Sequence, residues 1–378
     1  MSVHELTDTQ REIRELARRF ADEQIAPRAS EWDREHRFPR ELFGQLGELG
    51  LMGVCVPAEH AGAGADFLSY VLVLEELSRA DAGVGVTVAV HTSAATLPIL
   101  AHGTPEQVGR HLPALAQGHG LGAFALTESE AGSDAGALRT RARAEGDRAL
   151  ITGAKQWITN GSHASVFLVF ARDEDGPISA YLVERGAPGF RPTREEEKLG
   201  LNSSSTADLE LEDTPGERLG PPGGGMRIAL STLDGGRIGI AAQAVGIAQA
   251  ALDLATGYAR ERRAFGGPIA RFQAIQHKLA DMQTEVEAAR ALTWRAARLK
   301  QAGRPHTVEG AQAKLFASGV ARRQTGEAIQ VLGGYGYTRE FPAERYYRDA
   351  KVTEIYEGTS EIQRLVIARA LLGEAARE

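Results

Sequence analysis

The chain of 378 residues has a single cysteine, Cys55, so an intrachain disulfide framework and a zinc site built on paired thiolates are both excluded. Charge of one sign is not concentrated anywhere. The net charge of −7 is spread along the sequence, with Arg and Glu interleaved on helical patterns, and no Lys/Arg block marks a nucleic-acid footprint. No run of about 20 apolar residues offers a bilayer span. The first residues, MSVHELTDTQREIREL, are charged and lack an apolar signal core. No membrane span, no nucleic-acid partner and a cytoplasmic setting are therefore expected.

Familiar catalytic and nucleotide motifs are missing too. Gly62-Ala63-Gly64 lacks a third glycine and a βαβ context, so it is no Rossmann or P-loop signal. There is no G-x-S-x-G elbow, no H-E-x-x-H helix and no Cys/His cluster. The ten histidines are scattered, each reading as a surface or satisfied core residue, and no metal is expected.

What is present divides into three. This length is too great for one ordinary core, so two or three packed units are expected. Residues 1–118 read as helical: Thr7 and Gln10 make a capping box, followed by Ile13, Leu16, Ala17, Phe20 and Ala21 on one face, with Pro27 expected to end or kink that helix. Further helical patterns cover 39–49, 67–79 and 105–116. From 119 to 222 short strand-like runs take over, at 122–126, 149–151, 166–171, 179–183 and 207–211, which predicts a small barrel or sandwich. Gly220 to Gly225 is read as a hinge. From 223 to 378 long striped patterns at 238–260, 272–301, 307–332 and 360–376 predict a four-helix bundle.

Three segments stand out. In Phe124-Ala125-Leu126-Thr127-Glu128-Ser129-Glu130-Ala131-Gly132-Ser133-Asp134 an apolar strand runs into hydroxyls and a glycine; a strand followed by a polar turn would look the same. In Lys155-Gln156-Trp157-Ile158-Thr159-Asn160-Gly161 an indole sits among polar neighbours on a strand, suited to covering a planar ligand and equally suited to a core. In Ile355-Tyr356-Glu357-Gly358-Thr359-Ser360-Glu361-Ile362-Gln363 a Ser360/Gln363 capping box is expected to open the last helix. Glu357 would then precede a helix N-terminus, where complementing the dipole is explanation enough for a lone acid.

Taken together these segments resemble the signature regions of the acyl-CoA dehydrogenase family. Gly62/Gly64 with Glu75-Glu76, the run Arg262-Arg263-Ala264-Phe265-Gly266-Gly267-Pro268-Ile269 before Phe272-Gln273, and Gln330-Val331-Leu332-Gly333-Gly334-Tyr335-Gly336 extend the resemblance over essentially the whole chain. It implies an α+β multidomain fold with a helical N-terminal domain, a middle β domain and a C-terminal four-helix bundle. It also implies FAD as cofactor. By resemblance Phe124, Leu126, Thr127, Gly132, Ser133, Trp157, Ile158 and Thr159 lie about the flavin ring. Arg262, Phe265, Gln273, Gln330, Gly333 and Gly334 meet the rest of FAD across a subunit interface, and Thr359 and Glu361 touch it near the base. Ala264 departs from a position that is often polar. Ser133, Asp234, Arg237 and Gly358 fall along the CoA and thioester path, although Asp234 and Arg237 also read as ordinary charges at a helix start.

The activity implied is α,β-dehydrogenation of an acyl-CoA thioester to the trans-2-enoyl-CoA. Glu357 is the base, its backbone N–H and a ribityl hydroxyl meet the thioester oxygen, and an electron-transfer flavoprotein takes the electrons. A glutamate before Gly-Thr-Ser resembles the short-, medium- and short-branched-chain members, hence a short or medium acyl chain. A homodimer at least, commonly a dimer of dimers, is implied. The rivals are an acyl-CoA oxidase, disfavoured by the lack of a second C-terminal domain, and a flavin- or acyl-CoA-binding protein without turnover. Nitroalkane-oxidising relatives typically carry Asp at the base position.

Overall fold

The computed structural model describes residues 5–146, 148–174 and 176–376; the first four residues of the expected N-terminal unit and the last two of the C-terminal one lie outside it. Thr7 caps the first helix, α1 (Asp8–Phe20), and Gln10 returns a bond to the Thr7 N–H, completing the expected box. Pro27 does not end the helix. A π turn over Ala21–Ile25 carries the chain into α2 (Ala26–Glu35), which holds the proline in its first turn.

Helices α3 (Arg40–Glu48) and α4 (Phe67–Ala80) follow, and α4 is buried along nearly its whole length. Its two acids are spent on neighbours: Glu75 accepts from Trp294 Nε1 at 2.7 Å and Arg290 Nε at 3.1 Å, while Glu76 accepts from Arg14 and Arg18 at 2.8 and 2.9 Å. The motif glutamates thus tie α4 to α1 and to the bundle. Next come α5 (Ala82–Ala89), a π segment over Val90–Thr96, α6 (Leu97–His102) and α7 (Pro105–Ala116).

Among the described residues, seven strands make the middle region: β1 (Gly122–Ala125), β2 (Arg141–Glu145), β3 (Arg148–Thr159), β4 (Val166–Asp173), β5 (Ile178–Glu184), β6 (Phe190–Glu195) and β7 (Thr206–Leu219). The ladder β4-β2-β3-β7-β5 returns to β4, closing a small barrel, with β1 added beside β4 and β6 beside β7. Successive β4 side chains enter different clusters: Phe167, Val169 and Ala171 pack with the helical core, whereas Val166, Leu168 and Phe170 pack with a second core containing Leu112, Leu182 and Ile228. Burial on both faces explains its unbroken apolar run.

The connection at 220–225 is a pinned turn and not a loose hinge, because the Gly223 N–H donates to Ser179 Oγ at 2.9 Å and the Gly224 N–H to the Pro221 carbonyl at 3.0 Å. Beyond it lie α8 (Gly225–Glu261), the short hairpin strands β8 (Arg263–Ala264) and β9 (Gly267–Pro268), α9 (Gln273–Gln301), α10 (Thr307–Leu332), α11 (Gly334–Tyr337), α12 (Ala343–Val352) and α13 (Ser360–Leu372). α8, α9 and α10 pack against one another and α13 lies on α10, forming the bundle; α4 docks on α8 and α9. Two stretches, Ala82–His102 and Gly225–Glu261, do reach the length and hydropathy of a bilayer span, which corrects the expectation that none would. In each, 83% of the apolar window is buried inside the protein, so both are satisfied as core helices.

Candidate active site

The turn between α12 and α13 carries Glu357 with φ +51° and Gly358 with φ +90°. A non-glycine residue in the left-handed region costs about 1–3 kcal/mol and persists only where its surroundings hold it. Here the surroundings are explicit. Thr359, one residue earlier than expected, is the N-cap of α13 and accepts the Ile362 N–H. Gln363 makes no capping box with Ser360; its amide turns back to donate to the Gly358 carbonyl at 2.7 Å. Lys314 of α10 donates to the same carbonyl at 2.6 Å.

Glu357 projects onto α8. Its Oε2 is sealed from solvent and has no hydrogen-bond partner among the described residues, and Gly236 offers it room because no side chain stands there. Burial pushes the carboxyl up to about 7, against the pull of Lys314 and Arg237. One turn away Arg237 and Asp234 pair at 2.6 Å, and Thr307 Oγ1 donates to Asp234 at 2.6 Å. Beside them the Tyr356 hydroxyl bonds Gln243, and Tyr70 Oη donates to the Ala89 carbonyl at 3.1 Å. The backbone N–H of Glu357 donates to nothing among the described residues.

The barrel contributes a second wall. Trp157 falls where the β3–β7 register shifts between Lys155 and Ile158, and its φ is +59°. A bulge of this kind re-aims a side chain, and the indole is 56% exposed although it lies inside a strand. The backbone N–H of Trp157 donates to Asp208 Oδ1 at 3.2 Å. The adjacent Gln156 N–H donates to the Thr127 carbonyl at 2.9 Å, which ties the Trp157 bulge to the 124–134 segment. Phe124 and Leu126 pack inward, Phe124 against Phe170 at 5.0 Å between centroids. Gly132 and Ser133 are exposed, and Ile158 is buried beneath the bulge.

Beneath this wall lies a buried ion pair that no local sequence pattern singles out. Lys155 Nζ donates to Glu128 Oε1 at 2.8 Å and to the Leu126 carbonyl at 3.1 Å. Glu128 also accepts the Arg139 N–H at 2.6 Å, the Thr140 N–H at 3.0 Å and the Thr140 hydroxyl at 2.5 Å. Breaking one partner of such a pair costs about 3–5 kcal/mol, so the segment carrying Leu126 and Thr127 is rigid.

The remaining expected residues gather at the far end of α8. Arg262 lies over the Tyr335 ring at 5.6 Å and makes no ion pair among the described residues. Phe265 is 89% exposed with φ +51°, edge-on to Phe272 at 5.9 Å. Gln273, Gln330, Gly333 and Gly334 are exposed around them. Glu361, expected near the cofactor, faces solvent and pairs with Arg364 at 3.7 Å. The set suits FAD: an exposed indole and open backbone for a planar ring, and an unpaired guanidinium with an exposed phenyl for a pyrophosphate and a base.

Family models for the acyl-CoA dehydrogenase N-terminal, middle and C-terminal domains match residues 7–119, 123–214 and 223–372. The short-chain specific acyl-CoA dehydrogenase of Bos taurus mitochondria is 51% identical over 375 residues, 97% of this chain and 91% of the relative. The structure of butyryl-CoA dehydrogenase from Megasphaera elsdenii superposes with a TM-score of 0.95 at 44% identity, covering 97% of this chain and 99% of that one. An acyl-CoA dehydrogenase from Bacillus anthracis, complexed with FAD, gives a TM-score of 0.93 at 35% identity over 99% of this chain and 68% of that one. Fold and relatives together define an oxidoreductase. The chain belongs to the acyl-CoA dehydrogenase family.

Proposed function

We propose that this chain is an FAD-dependent dehydrogenase of a short-chain acyl-CoA, giving the trans-2-enoyl-CoA and passing electrons to an electron-transfer flavoprotein. The observation that carries the reading is the Glu357 carboxylate: sealed, unpaired at Oε2, and raised to about 7, where a base is both ionised and basic enough to work near neutral pH. Glu357 takes the α-proton of the thioester. The unspent backbone N–H of the same residue faces the charge that develops on the thioester oxygen. FAD, when bound, accepts the β-hydride. Arg237 and Asp234 line the approach of the CoA thioester, with Ser133 and Gly358 beside it. A short acyl group agrees with the short-chain specific dehydrogenases among the relatives.

Phe124, Leu126, Thr127, Gly132, Ser133, Trp157, Ile158 and Thr159 serve the flavin ring in this reading, with Thr359 and Glu361 near the base. Arg262, Phe265, Gln273, Gln330, Gly333 and Gly334 must act on a second copy's FAD. Gly236 and Arg262 are separated by 26 residues of one helix, about 39 Å at 1.5 Å per residue, more than one extended dinucleotide bridges within a protomer. This spacing supports a homodimer. A dimer of dimers is supported by the exposed Leu365, Leu371 and Leu372 on α13. A cytoplasmic location belongs to the same reading and agrees with the free Cys55.

The test is spectroscopic. The purified protein is expected to be yellow, and anaerobic butyryl-CoA to bleach the oxidised flavin band, with ferricenium restoring it faster than oxygen does. A colourless protein, or a spectrum unchanged by acyl-CoA esters from butyryl to octanoyl, would overturn the proposal. Faster reoxidation by oxygen would assign an oxidase.

A further inference from the structure

We propose that Lys314 is the positioning residue of the Glu357 turn: with Gln363 it clamps the Gly358 carbonyl, and its cation balances the Glu357 carboxylate inside the bundle. The inference rests on the reading of Glu357 as the base and goes on to say what holds it in place and keeps it charged.

Lys314 is 1% exposed, and Gln363 is fully buried. Their donors converge on one oxygen, the Gly358 carbonyl, at 2.6 and 2.7 Å, and Gln363 also reaches the Glu357 carbonyl at 3.5 Å. A strained turn with two consecutive positive φ angles is thereby fixed from two helices, α10 and α13. Ordinary helix capping would not need a buried lysine, since Thr359 already caps α13.

The charges around Lys314 single out its partner. Glu354 is bound by Arg322 at 3.0 Å and by Lys351 at 2.7 Å. Glu361 pairs with Arg364, and Arg237, the other cation near Glu357, is held by Asp234 at 2.6 Å. Tyr70 and Tyr356 face Glu357 with neutral hydroxyls bonded to the Ala89 carbonyl and to Gln243. Glu357 is the acid left unneutralised, and Lys314 the cation left without a carboxylate. Burial lowers the Lys314 ammonium to about 8 while Glu357 and its neighbours pull it back up, and Lys314 in turn pulls the Glu357 carboxyl down. Each group thus favours the charged form of the other, against the burial that disfavours both.

The experiment uses Lys314→Met, Lys314→Arg and Gln363→Met in the FAD-loaded enzyme, with the pH profile of kcat/KM for butyryl-CoA as the readout. Loss of the cation should move the acid limb of Lys314→Met to higher pH by on the order of one pH unit, and Lys314→Arg should restore it. Gln363→Met, which removes positioning without charge, should lower kcat about tenfold or more and leave the limb where it is. An unmoved limb in Lys314→Met with unchanged kcat would overturn the proposal.

Thermal melts decide the case even if Lys314→Met folds poorly. With the carboxylate gone, Lys314→Met should cost less stability in a Glu357→Gln background than in wild type. Equal cost in both backgrounds would show a purely structural lysine and contradict the charge pairing. Failure of Glu357→Gln to stop flavin reduction would instead sink the base assignment, so the two failures are separable.

Discussion

A Cβ atom built on Gly236 would lie 2.0 Å from Oε2 of Glu357 and 2.9 Å from its carboxyl carbon. The α8 backbone is therefore the wall against which the carboxylate rests, and only a glycine there leaves it space. Helix propensity alone favours Gly236→Ala by about 1 kcal/mol, so the fold should survive or tighten. Turnover should nevertheless fall by about a hundredfold, the cost of misplacing a reacting group by roughly 1 Å. Steady-state kinetics beside a thermal melt check this; unchanged turnover would mean that the carboxylate has another seat.

The raised Glu357 carboxyl has two pH signatures of opposite kind. Activity needs the ionised base, so kcat/KM should fall as pH drops through about 7. Stability runs the other way. The folded value of about 7 exceeds the ordinary 4.5, so the folded state binds the proton more tightly, and this contribution is full below pH 4.5 and lost as pH rises through 7. Glu357→Gln should therefore melt higher than wild type at pH 8, with the gap closing toward pH 4.5. Melts that differ equally at both ends would contradict the assignment of burial as the cause.

Arg262 is exposed, makes no ion pair among the described residues, and stands about 39 Å along α8 from Gly236, against which the base rests. Arg262→Ala should leave the protomer's fold intact, since the side chain only covers the Tyr335 ring. It should weaken FAD retention by the worth of a charge-assisted bond, about 1.5–3 kcal/mol. FAD content after gel filtration, set beside the oligomeric state, measures this. Full occupancy with unchanged affinity would remove Arg262 from the cofactor site.

How much of this was legible beforehand differs from residue to residue. The Thr7/Gln10 box could be read because both partners lie within one turn and nothing else competes for them. At Thr359-Ser360 two hydroxyls are adjacent, and local rules do not choose between them. The choice is made by the strained carbonyls of Glu357 and Gly358, which draw Gln363 away from any box. Lys314 lies 44 residues before the carbonyl it holds, a contact that helical periodicity on α10 cannot reveal. Helix α5 has no stripe to detect because it is buried on every side, and α6, at six residues, is too short to show one. Trp157 was legible as a ligand candidate, but its outward aim depends on a bulge set by the pairing of β3 with β7.

The most direct test of the account is anaerobic stopped-flow reduction of the flavin in Glu357→Gln by butyryl-CoA. The amide keeps the size of the side chain and lacks a basic oxygen, so FAD and acyl-CoA should still bind while the oxidised band persists, with reduction slowed by at least about 10²–10⁴-fold. Bleaching at the wild-type rate would contradict the claim that Glu357 is the base.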